Sequence, residues 1–373
     1  MKILFLNVNG SGLGHLNRCL SYALRLPNSV SSIFFSLASA VEIIQSFGFE
    51  ADYFVSPYWS NTTSYAWNSE LAIRFGMMLE RVRPDVIVFD GTWPFQGFLT
   101  ACKAYSGKPK IVWSKRGLIK SDVNKTSVSE DFFDLIIEPG EVGDLFSEFS
   151  LLGGSKKIHI PPVSVLDNDE VLDRQCARDE LGLSSSAQYA LFSLGPGNLK
   201  DHSSIGSGLI ALLLEQGFQI IWAKSPISVH DLELPAGVNS ISAYPLVKYM
   251  KAFDVFIGAA GYNTCCEVVQ AQVPALLVPN AQLADDQRAR ANSIALYAPV
   301  VVSQCETTEE QVNAVTSLMD LLEDIALNTS LPAEGRTSLF VSGDISAPSI
   351  HVPLNGAALA ANAIYALATG RSQ

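Results

Sequence analysis

The sequence has few charged side chains and no long hydrophobic run. Only 17% of its 373 residues are charged while 48% are hydrophobic, a balance that excludes an intrinsically disordered chain. No apolar stretch approaches the roughly 20 residues that a helix needs to cross a bilayer. The first apolar run, Ile3–Leu6, is too short for the core of a signal peptide. We therefore expect a soluble, cytoplasmic protein without a transmembrane segment.

The sequence has fewer basic than acidic residues, and its few cysteines do not show the paired C-x-x-C spacing. With 25 basic and 37 acidic side chains, the formal net charge is −12, which disfavours binding to nucleic acid or to an anionic membrane. The six cysteines form no C-x-x-C pair, and Cys265-Cys266 lie in a helical pattern as small apolar residues do. We expect reduced thiols, no metal site and no cofactor.

Three common motifs are missing from the glycine-rich loop Gly10–His15. A dinucleotide fingerprint needs a glycine where His15 stands, and no acidic residue ends the second predicted strand to hold a ribose. The G-K-[ST] of a P-loop is absent from the chain, and the loop lacks the G-x-S-x-G of a nucleophile elbow. What remains is a loop that opens a helix, so that the backbone N–H groups at Gly12 and Gly14 can cradle the anion of a donor, and that carries the His15 imidazole.

Short apolar runs alternate with longer segments of helical periodicity along the whole chain, which is the pattern of βα units in a parallel sheet. The pattern is interrupted at Pro161-Pro162 and then restarts. We predict an α/β protein of two doubly wound, Rossmann-like domains facing a cleft, residues 1–160 and 163–350, with a final helix at about 354–373 that packs back on the first. The predicted strands are Lys2–Val8, Ser32–Leu37, Ala51–Val55, Asp85–Phe89, Lys110–Trp113, Leu135–Ile137, Lys157–Ile160, Tyr189–Ser193, Gln219–Ala223, Asn239–Ser242, Val255–Gly258, Ala275–Val278 and Val300–Ser303, and clear helical patterns cover Leu13–Leu26 and Glu70–Arg83.

Two residues are candidate bases. His15 follows Gly12 and Gly14 at a helix start, where it can act as a general base near neutral pH. Asp90 follows a predicted strand, and strand ends face the ligand side of a parallel sheet. Alternatively, the glycines only form a turn, His15 packs locally and Asp90 caps its loop. Arg18, one helical turn after His15, points at a bound anion or lies at the solvated surface.

Polar residues cluster in two neighbouring loops of the second half. Asn263 and Thr264 stand at a predicted helix start, whose free N–H groups suit a diphosphate, and Glu267 lies about one turn later, where a carboxylate can accept from two ribose hydroxyls. Asp286 and Gln287, at the next helix start, can bind sugar hydroxyls. The alternative is that these residues are ordinary helix caps and surface side chains.

This order, G-x-x-T-x-x-E followed by an apolar strand, proline and D-x-Q, resembles the donor site of GT-B glycosyltransferases of family 28, and the N-terminal G-x-G-x-G-H resembles the same group. The resemblance implies that Glu267 binds ribose, that Gly261, Asn263 and Thr264 bind the diphosphate, and that Asp286 and Gln287 hold the donor sugar. It also implies roles for Ala243 and Tyr244 at the uracil and for Gly195 and Gly197 at the phosphates. Pro196 departs from the family's loop, and Arg288 replaces a second glutamine, so the donor sugar need not be N-acetylglucosamine.

The resemblance implies inverting, metal-independent transfer from a nucleotide sugar, with UDP-sugars favoured, to a small or glycan acceptor. The Asp167-Asn168-Asp169 triplet matches the metal motif of the other glycosyltransferase fold but lies in the predicted linker. Stacking and charge make Trp93, Lys115 and Arg116 acceptor candidates. The segment with Trp59, Tyr65 and Trp67 is a further aromatic candidate, or ordinary packing. A nucleotide-sugar hydrolase and a non-catalytic binding subunit are the competing hypotheses.

Overall fold

The computed structural model describes residues 1–8, 12–115, 130–142, 156–195, 203–228, 234–280, 285–296, 298–330 and 355–370. Chain contacts divide these residues into two compact units. The first unit comprises residues 1–141, 146–165 and 354–373, and the second comprises residues 142–145 and 166–353. No helix in the described part of the chain is both long enough and apolar enough to span a membrane.

The first unit is a seven-stranded parallel sheet in the order β3-β2-β1-β4-β5-β6-β7. Its strands are β1 Lys2–Asn7, β2 Ser31–Ser36, β3 Glu50–Tyr53, β4 Val86–Gly91, β5 Lys110–Lys115, β6 Leu135–Pro139 and β7 Lys157–Ile160. Its described helices are α1 Gly14–Leu24, α2 Val41–Ser46, α3 Ser64–Val82, α4 Gln96–Ala104 and α10 Ala357–Thr369, with a 3-10 turn at Glu130–Phe132.

The second unit is a six-stranded parallel sheet in the order β10-β9-β8-β11-β12-β13. Its strands are β8 Tyr189–Ser193, β9 Gln219–Ala223, β10 Asn239–Ile241, β11 Val255–Ala259, β12 Ala275–Val278 and β13 Val300–Val302. Its described helices are α5 Arg174–Leu181, α6 Ser203–Glu215, α7 Tyr262–Ala271, α8 Gln287–Ile294 and α9 Thr308–Ser330, with 3-10 turns at Asn168–Glu170 and Leu246–Ala252.

The predicted α/β class with two doubly wound domains is confirmed. Central strands such as β1 and β11 are continuous apolar runs because both faces of a parallel sheet are covered by helices. The helix expected over Glu70–Arg83 begins earlier, at Ser64. The reason is a cap: the Thr63 hydroxyl accepts a hydrogen bond from the Ala66 N–H, at 3.2 Å, and starts the helix before its apolar periodicity begins.

The final helix belongs to the first unit. α10 contacts α1, β5 and β7, and its residues Ala357, Ala360, Ala361 and Ile364 are buried. The side chain of Asn355 fixes the entry to this helix, because it accepts from the Ser164 N–H and donates to the Ser164 carbonyl. The small alanine side chains permit this close approach.

Candidate active site

Each sheet has one place where its strand order reverses. In the first unit β1 lies between β2 and β4, so the reversal falls between β1 and β4. In the second unit it falls between β8 and β11. Ligands of doubly wound sheets bind outside the carboxyl ends of the strands at such points. The candidate base and the candidate donor-binding helix both follow strands at these reversals.

The first constellation is the cluster of His15 and Arg18 on α1 with Asp90 on β4. His15 and Arg18 lie one helical turn apart on α1, and β1 runs beside β4, so both side chains reach Asp90. His15 Nδ1 lies 2.6 Å from Asp90 Oδ1. Arg18 Nη2 donates to the same oxygen at 2.7 Å, and Arg18 Nε donates to Oδ2 at 2.9 Å. Asp90 is completely buried, and the other two residues are less than 8% exposed.

The charge pattern of this cluster fixes the proton on His15. Burial alone raises the pKa of Asp90, but the Arg18 charge and the hydrogen bonds from His15 and Arg18 outweigh it, and the pKa falls to about 2. Asp90 is therefore ionised at neutral pH. His15 Nδ1 lies 2.6 Å from the ionised carboxylate and 3.0 Å from Arg18 Nη2. The carboxylate is the nearer neighbour and accepts only, so it favours the tautomer with the proton on Nδ1, in which Nε2 carries the lone pair.

From the sequence, Asp90 is the second candidate base, at the end of a strand. The structure instead places it inside β4, in an ion pair with Arg18 and in contact with His15. A carboxylate with a pKa of about 2 and three hydrogen bonds is a weak proton acceptor. It suits the task of orienting His15 and stabilising the imidazolium that forms when His15 takes a proton.

The residues behind this cluster stay neutral. Tyr22 Oη and Ser114 Oγ lie 3.2 Å apart, and burial raises the pKa of the Tyr22 hydroxyl and of the Cys19 thiol, with a further contribution from the Asp90 charge. Neither group competes with His15 as a base near neutral pH. Sequence reasoning missed Tyr22 and Ser114, because nothing in the local pattern signals a contact between residues 92 positions apart.

Gly12 and Gly14, predicted to cradle an anion, lie at the start of α1 and are partly buried. A Cβ built on either glycine meets nothing within 4 Å, so the local packing does not demand glycine there. The rest of the loop, residues 9–11, lies outside the described part of the chain.

The second constellation is the start of α7, directly after β11. Gly261 is the N-cap, and Asn263 and Thr264 occupy the first turn, partly exposed. The first N–H groups of a helix have no partner within the helix, and the helix dipole adds positive potential at this end. The three residues predicted to face a diphosphate therefore lie together at a helix terminus with a positive potential.

Glu267 lies one turn further along α7. It is partly exposed, yet burial raises its pKa to about 8. Burial also raises the pKa of the Tyr244 hydroxyl, and the Glu267 charge raises it further. A carboxyl with a raised pKa beside a helix start is typical of binding and catalytic sites.

A cavity of about 340 Å³ is lined in part by Tyr244. Its walls are loops at the carboxyl ends of β8, β9 and β10 and include Gly195, Trp222, Lys224, Ser242, Ala243 and Tyr244. Ala243 and Tyr244 were predicted to contact uracil, and Gly195 to contact phosphate. Gly195 has a φ of +96°, a conformation that favours glycine. Gly197, with Pro196, lies outside the described residues.

At the start of α8, local contacts occupy the residues predicted to hold the donor sugar. Asp286 is the N-cap and accepts from the Ala289 N–H at 3.0 Å. Gln287 is buried, and its side-chain oxygen accepts from the Asn280 N–H at 2.9 Å. Arg288 is exposed. When the Gln304 amide is oriented with its nitrogen toward the Pro279 carbonyl, the guanidinium of Arg288 donates to the Gln304 side-chain oxygen. Capping is thus one established role of Asp286.

The candidate acceptor residues have different environments. Trp93 is partly exposed directly after β4, whereas Lys115 pairs with Glu130 at 2.8 Å and with Glu138 at 3.4 Å, so that two carboxylates already balance its charge. Arg116 lies outside the described residues. In the other aromatic segment, Trp59 and Tyr65 are exposed, while Trp67 is a core residue that donates to the Val55 carbonyl.

The Asp167–Asp169 triplet has a structural role. Asp167 and Glu170 form a reciprocal capping box around the short 3-10 turn at Asn168–Glu170. Within the described ranges, no group of three or more histidine, cysteine, aspartate or glutamate side chains is arranged to hold a metal ion.

Residues 223–333 match the glycosyltransferase family 28 C-terminal domain. This segment contains β10 to β13, α7 and α8. It therefore includes the candidate donor-binding residues of the second unit, except Gly195 and Gly197, which follow β8 in the sequence. A comparison with curated protein sequences found no match.

Several solved structures share the fold. The glycosyltransferase of kitacinnamycin aligns with a TM-score of 0.59 at 15% identity, over 97% of this chain and 98% of its own. The spinosyn rhamnosyltransferase SpnG complexed with thymidine diphosphate aligns with a TM-score of 0.55 at 14% identity, over 88% and 96% of the two chains. The UDP-GlcNAc 2-epimerase from Neisseria meningitidis, bound to UDP-GlcNAc, gives 0.57 at 15% identity, over 87% and 92%. At these identities the likeness establishes the GT-B fold.

Proposed function

We propose that this chain, a glycosyltransferase with the GT-B fold and a family 28 C-terminal domain, transfers a sugar from a nucleoside diphosphate sugar to an acceptor hydroxyl with inversion at the anomeric carbon. The second unit binds the donor and the first unit supplies the base. The observation that carries the proposal is the buried contact of His15 Nδ1 with the ionised Asp90, which leaves Nε2 as the basic nitrogen.

The donor site that we propose follows from the chemistry of three neighbouring features. The start of α7, with Gly261, Asn263 and Thr264, binds the diphosphate through backbone N–H groups. Glu267 accepts hydrogen bonds from the ribose hydroxyls. The cavity lined by Ala243 and Tyr244 takes the nucleobase, because its volume of about 340 Å³ lies within the range of small-molecule sites. We favour UDP, as the family resemblance implies. The other pyrimidine nucleotide to test is dTDP, because the similar structure of SpnG is a complex with thymidine diphosphate.

The reaction that we propose needs one proton acceptor and one leaving group. His15 Nε2 takes the proton from the acceptor hydroxyl while the hydroxyl oxygen attacks the anomeric carbon. The bond from that carbon to the diphosphate oxygen breaks, and the nucleoside diphosphate leaves. Asp90 stabilises the imidazolium. The helix terminus stabilises the negative charge on the leaving group, which is the basis for proposing a metal-independent reaction.

The same dyad, His15 with Asp90, can activate water, so hydrolysis of the nucleotide sugar is the competing activity. The two reactions differ in what they require. Transfer releases the nucleoside diphosphate only when an acceptor hydroxyl is present, whereas hydrolysis releases it together with free sugar in buffer alone. Among the residues that the structure describes, the partly exposed Trp93 is our candidate for stacking on the acceptor.

A His15→Ala variant tests the assignment of the base. UDP-sugars and dTDP-sugars that raise the melting temperature of the wild-type chain are first identified. The release of nucleoside diphosphate is then measured with pooled acceptor extracts. We expect H15A to keep donor binding and to lose about 10²-fold or more in turnover, because a positioned general base contributes that much.

The control for this experiment is His159→Ala, since His159 is half-exposed on β7 and pairs with Glu138. H159A should behave as the wild type. Unchanged turnover in H15A would remove His15 from the chemistry, and release without any acceptor would establish the hydrolase.

A further inference from the structure

To the diphosphate and ribose site proposed above we add Asp286 and Gln287, which the family resemblance assigns to the donor sugar. The residues of the donor site then come from two separate segments, the turn between β11 and α7 and the start of α8. The first contains Gly261, and the second contains Asp286 and Gln287. Helices α7 and α8 are in contact, and their first residues have to be held in a fixed relation if both are to bind one donor. A fully buried arginine, to which neither the family resemblance nor our donor-site proposal gives a role, joins the two segments.

Arg290 lies on α8, and its side chain is completely buried. Its Nη2 donates to Asp285 Oδ1 at 2.7 Å, and its Nη1 donates to Asp285 Oδ2 at 3.2 Å and to the Ala260 carbonyl at 3.3 Å. The guanidinium carbon lies 5.8 Å from the centre of the Tyr262 ring. One guanidinium thus contacts the residues on both sides of Gly261 and the residue directly before Asp286.

A buried ion pair is not explained by stability alone. Removing two charges from water costs several kcal/mol per ion, and a well-packed apolar pair is often as stable. The planar guanidinium gives something that an apolar pair does not, because its donors fix the direction of each partner. Here the partners are a carboxylate and a carbonyl that belong to the two halves of the proposed donor site.

We propose that Arg290, paired with Asp285, is a positioning residue that holds the start of α7 and the segment before α8 in the relation needed to bind one nucleoside diphosphate sugar. The proposal rests on the donor site described under Proposed function. Arg290 acts through Ala260, Tyr262 and Asp285 and touches no substrate itself. Preorganised loops bind more tightly because less conformational freedom is lost on binding.

The same unit contains a matched control. Arg178 is also buried, donates to the Ala252 carbonyl at 2.8 Å and to Asp254 Oδ2 at 3.0 Å, and lies 5.3 Å from the Tyr189 ring. Asp254 directly precedes β11, whereas Ala260 directly follows it. The two arginines thus make similar contacts at opposite ends of one strand, and only Arg290 adjoins the proposed donor site.

The test compares Arg290→Met, Arg290→Lys and Asp285→Asn with Arg178→Met in the full-length chain. UDP and dTDP are titrated by calorimetry, and unfolding is followed by calorimetric melting. We expect R290M and R178M both to lower the melting temperature, but only R290M to weaken UDP binding, by about tenfold or more. R290K keeps the charge but has one nitrogen in place of the planar pair Nη1 and Nη2, so it cannot reproduce this geometry and should also weaken binding. R290K and D285N decide the question if R290M does not fold.

Wild-type affinity for UDP in R290K and D285N, or an equal loss in R178M, would overturn the positioning role while leaving the donor site intact. If the wild-type chain binds neither UDP nor dTDP, the proposed function fails, and the role of Arg290 fails with it.

Discussion

At the scale of single residues, the protein depends on carboxyl groups in opposite electrostatic environments. Asp90 lies beside Arg18 and His15 and has a pKa of about 2, whereas burial raises the pKa of Glu267 to about 8. The sequence placed both residues in candidate sites but gave no sign of this difference. The pKa of Asp90 depends on contacts across 72 and 75 positions of the chain, which only the sheet order β1-β4 creates.

The first residue-scale prediction concerns Asp90→Asn. The amide cannot carry the charge that Arg18 and the protonated His15 require, so the catalytic tautomer is lost and Arg18 is left buried without its carboxylate. We expect turnover to fall by about 10²-fold or more, and the free energy of unfolding to fall by roughly 3–5 kcal/mol. Both quantities are measured at pH 7, with turnover normalised to the folded fraction. A variant within twofold of wild-type turnover contradicts the dyad.

The second residue-scale prediction concerns pH. Glu267 keeps its proton in the folded state up to about pH 8, whereas the unfolded chain loses it near the ordinary value of 4.5. Between these values the folded state binds more protons, so the contribution of Glu267 to stability falls as pH rises. Glu267→Gln removes this contribution. We expect the melting temperature of E267Q minus that of the wild type to increase from pH 5 to pH 8, without nucleotide. A constant difference would show that the Glu267 pKa is not raised.

At the scale of elements, periodicity located the strands well, because buried parallel strands are uninterrupted apolar runs. β7, β8, β9 and β12 have the predicted bounds. The start of α3 was missed because it is set by the Thr63 cap and not by apolar spacing. The contacts of Arg290 were equally hidden, since its partner Asp285 lies five positions away, a spacing that does not indicate neighbours on a helix.

The element-scale prediction concerns the packing of α3 against α4. A Cβ at Gly97 of α4 would lie 2.3 Å from the backbone carbonyl oxygen of Asn68, whereas a Cβ at Gly76 of α3 meets nothing within 4 Å. Gly97→Ala therefore forces the helices apart and should cost roughly 1–3 kcal/mol. Gly76→Ala should stabilise by roughly 0.5–1 kcal/mol, because alanine loses less backbone freedom in a helix. Denaturant unfolding of both variants tests this, and equal effects would refute the close contact.

At the scale of the whole molecule, the sequence was sufficient for the fold class and for the resemblance of the second unit to family 28. The chain folds as two parallel sheets, and residues 223–333 match the family 28 C-terminal domain. The donor sugar and the acceptor depend on side-chain directions in loops, which neither periodicity nor motif spacing encodes. The central claim is accordingly that the second unit binds a nucleoside diphosphate at the start of α7, beside Glu267.

Calorimetric titration of UDP into the full-length chain, into Glu267→Ala and into Glu309→Ala tests this claim most directly. Glu309 is an exposed residue in the first turn of α9 and serves as the control. We predict one site per chain in the wild type and in E309A, and binding weakened by about tenfold or more in E267A, since the carboxyl group that hydrogen-bonds the ribose hydroxyls is lost. Equal UDP affinity in E267A and wild type would contradict it.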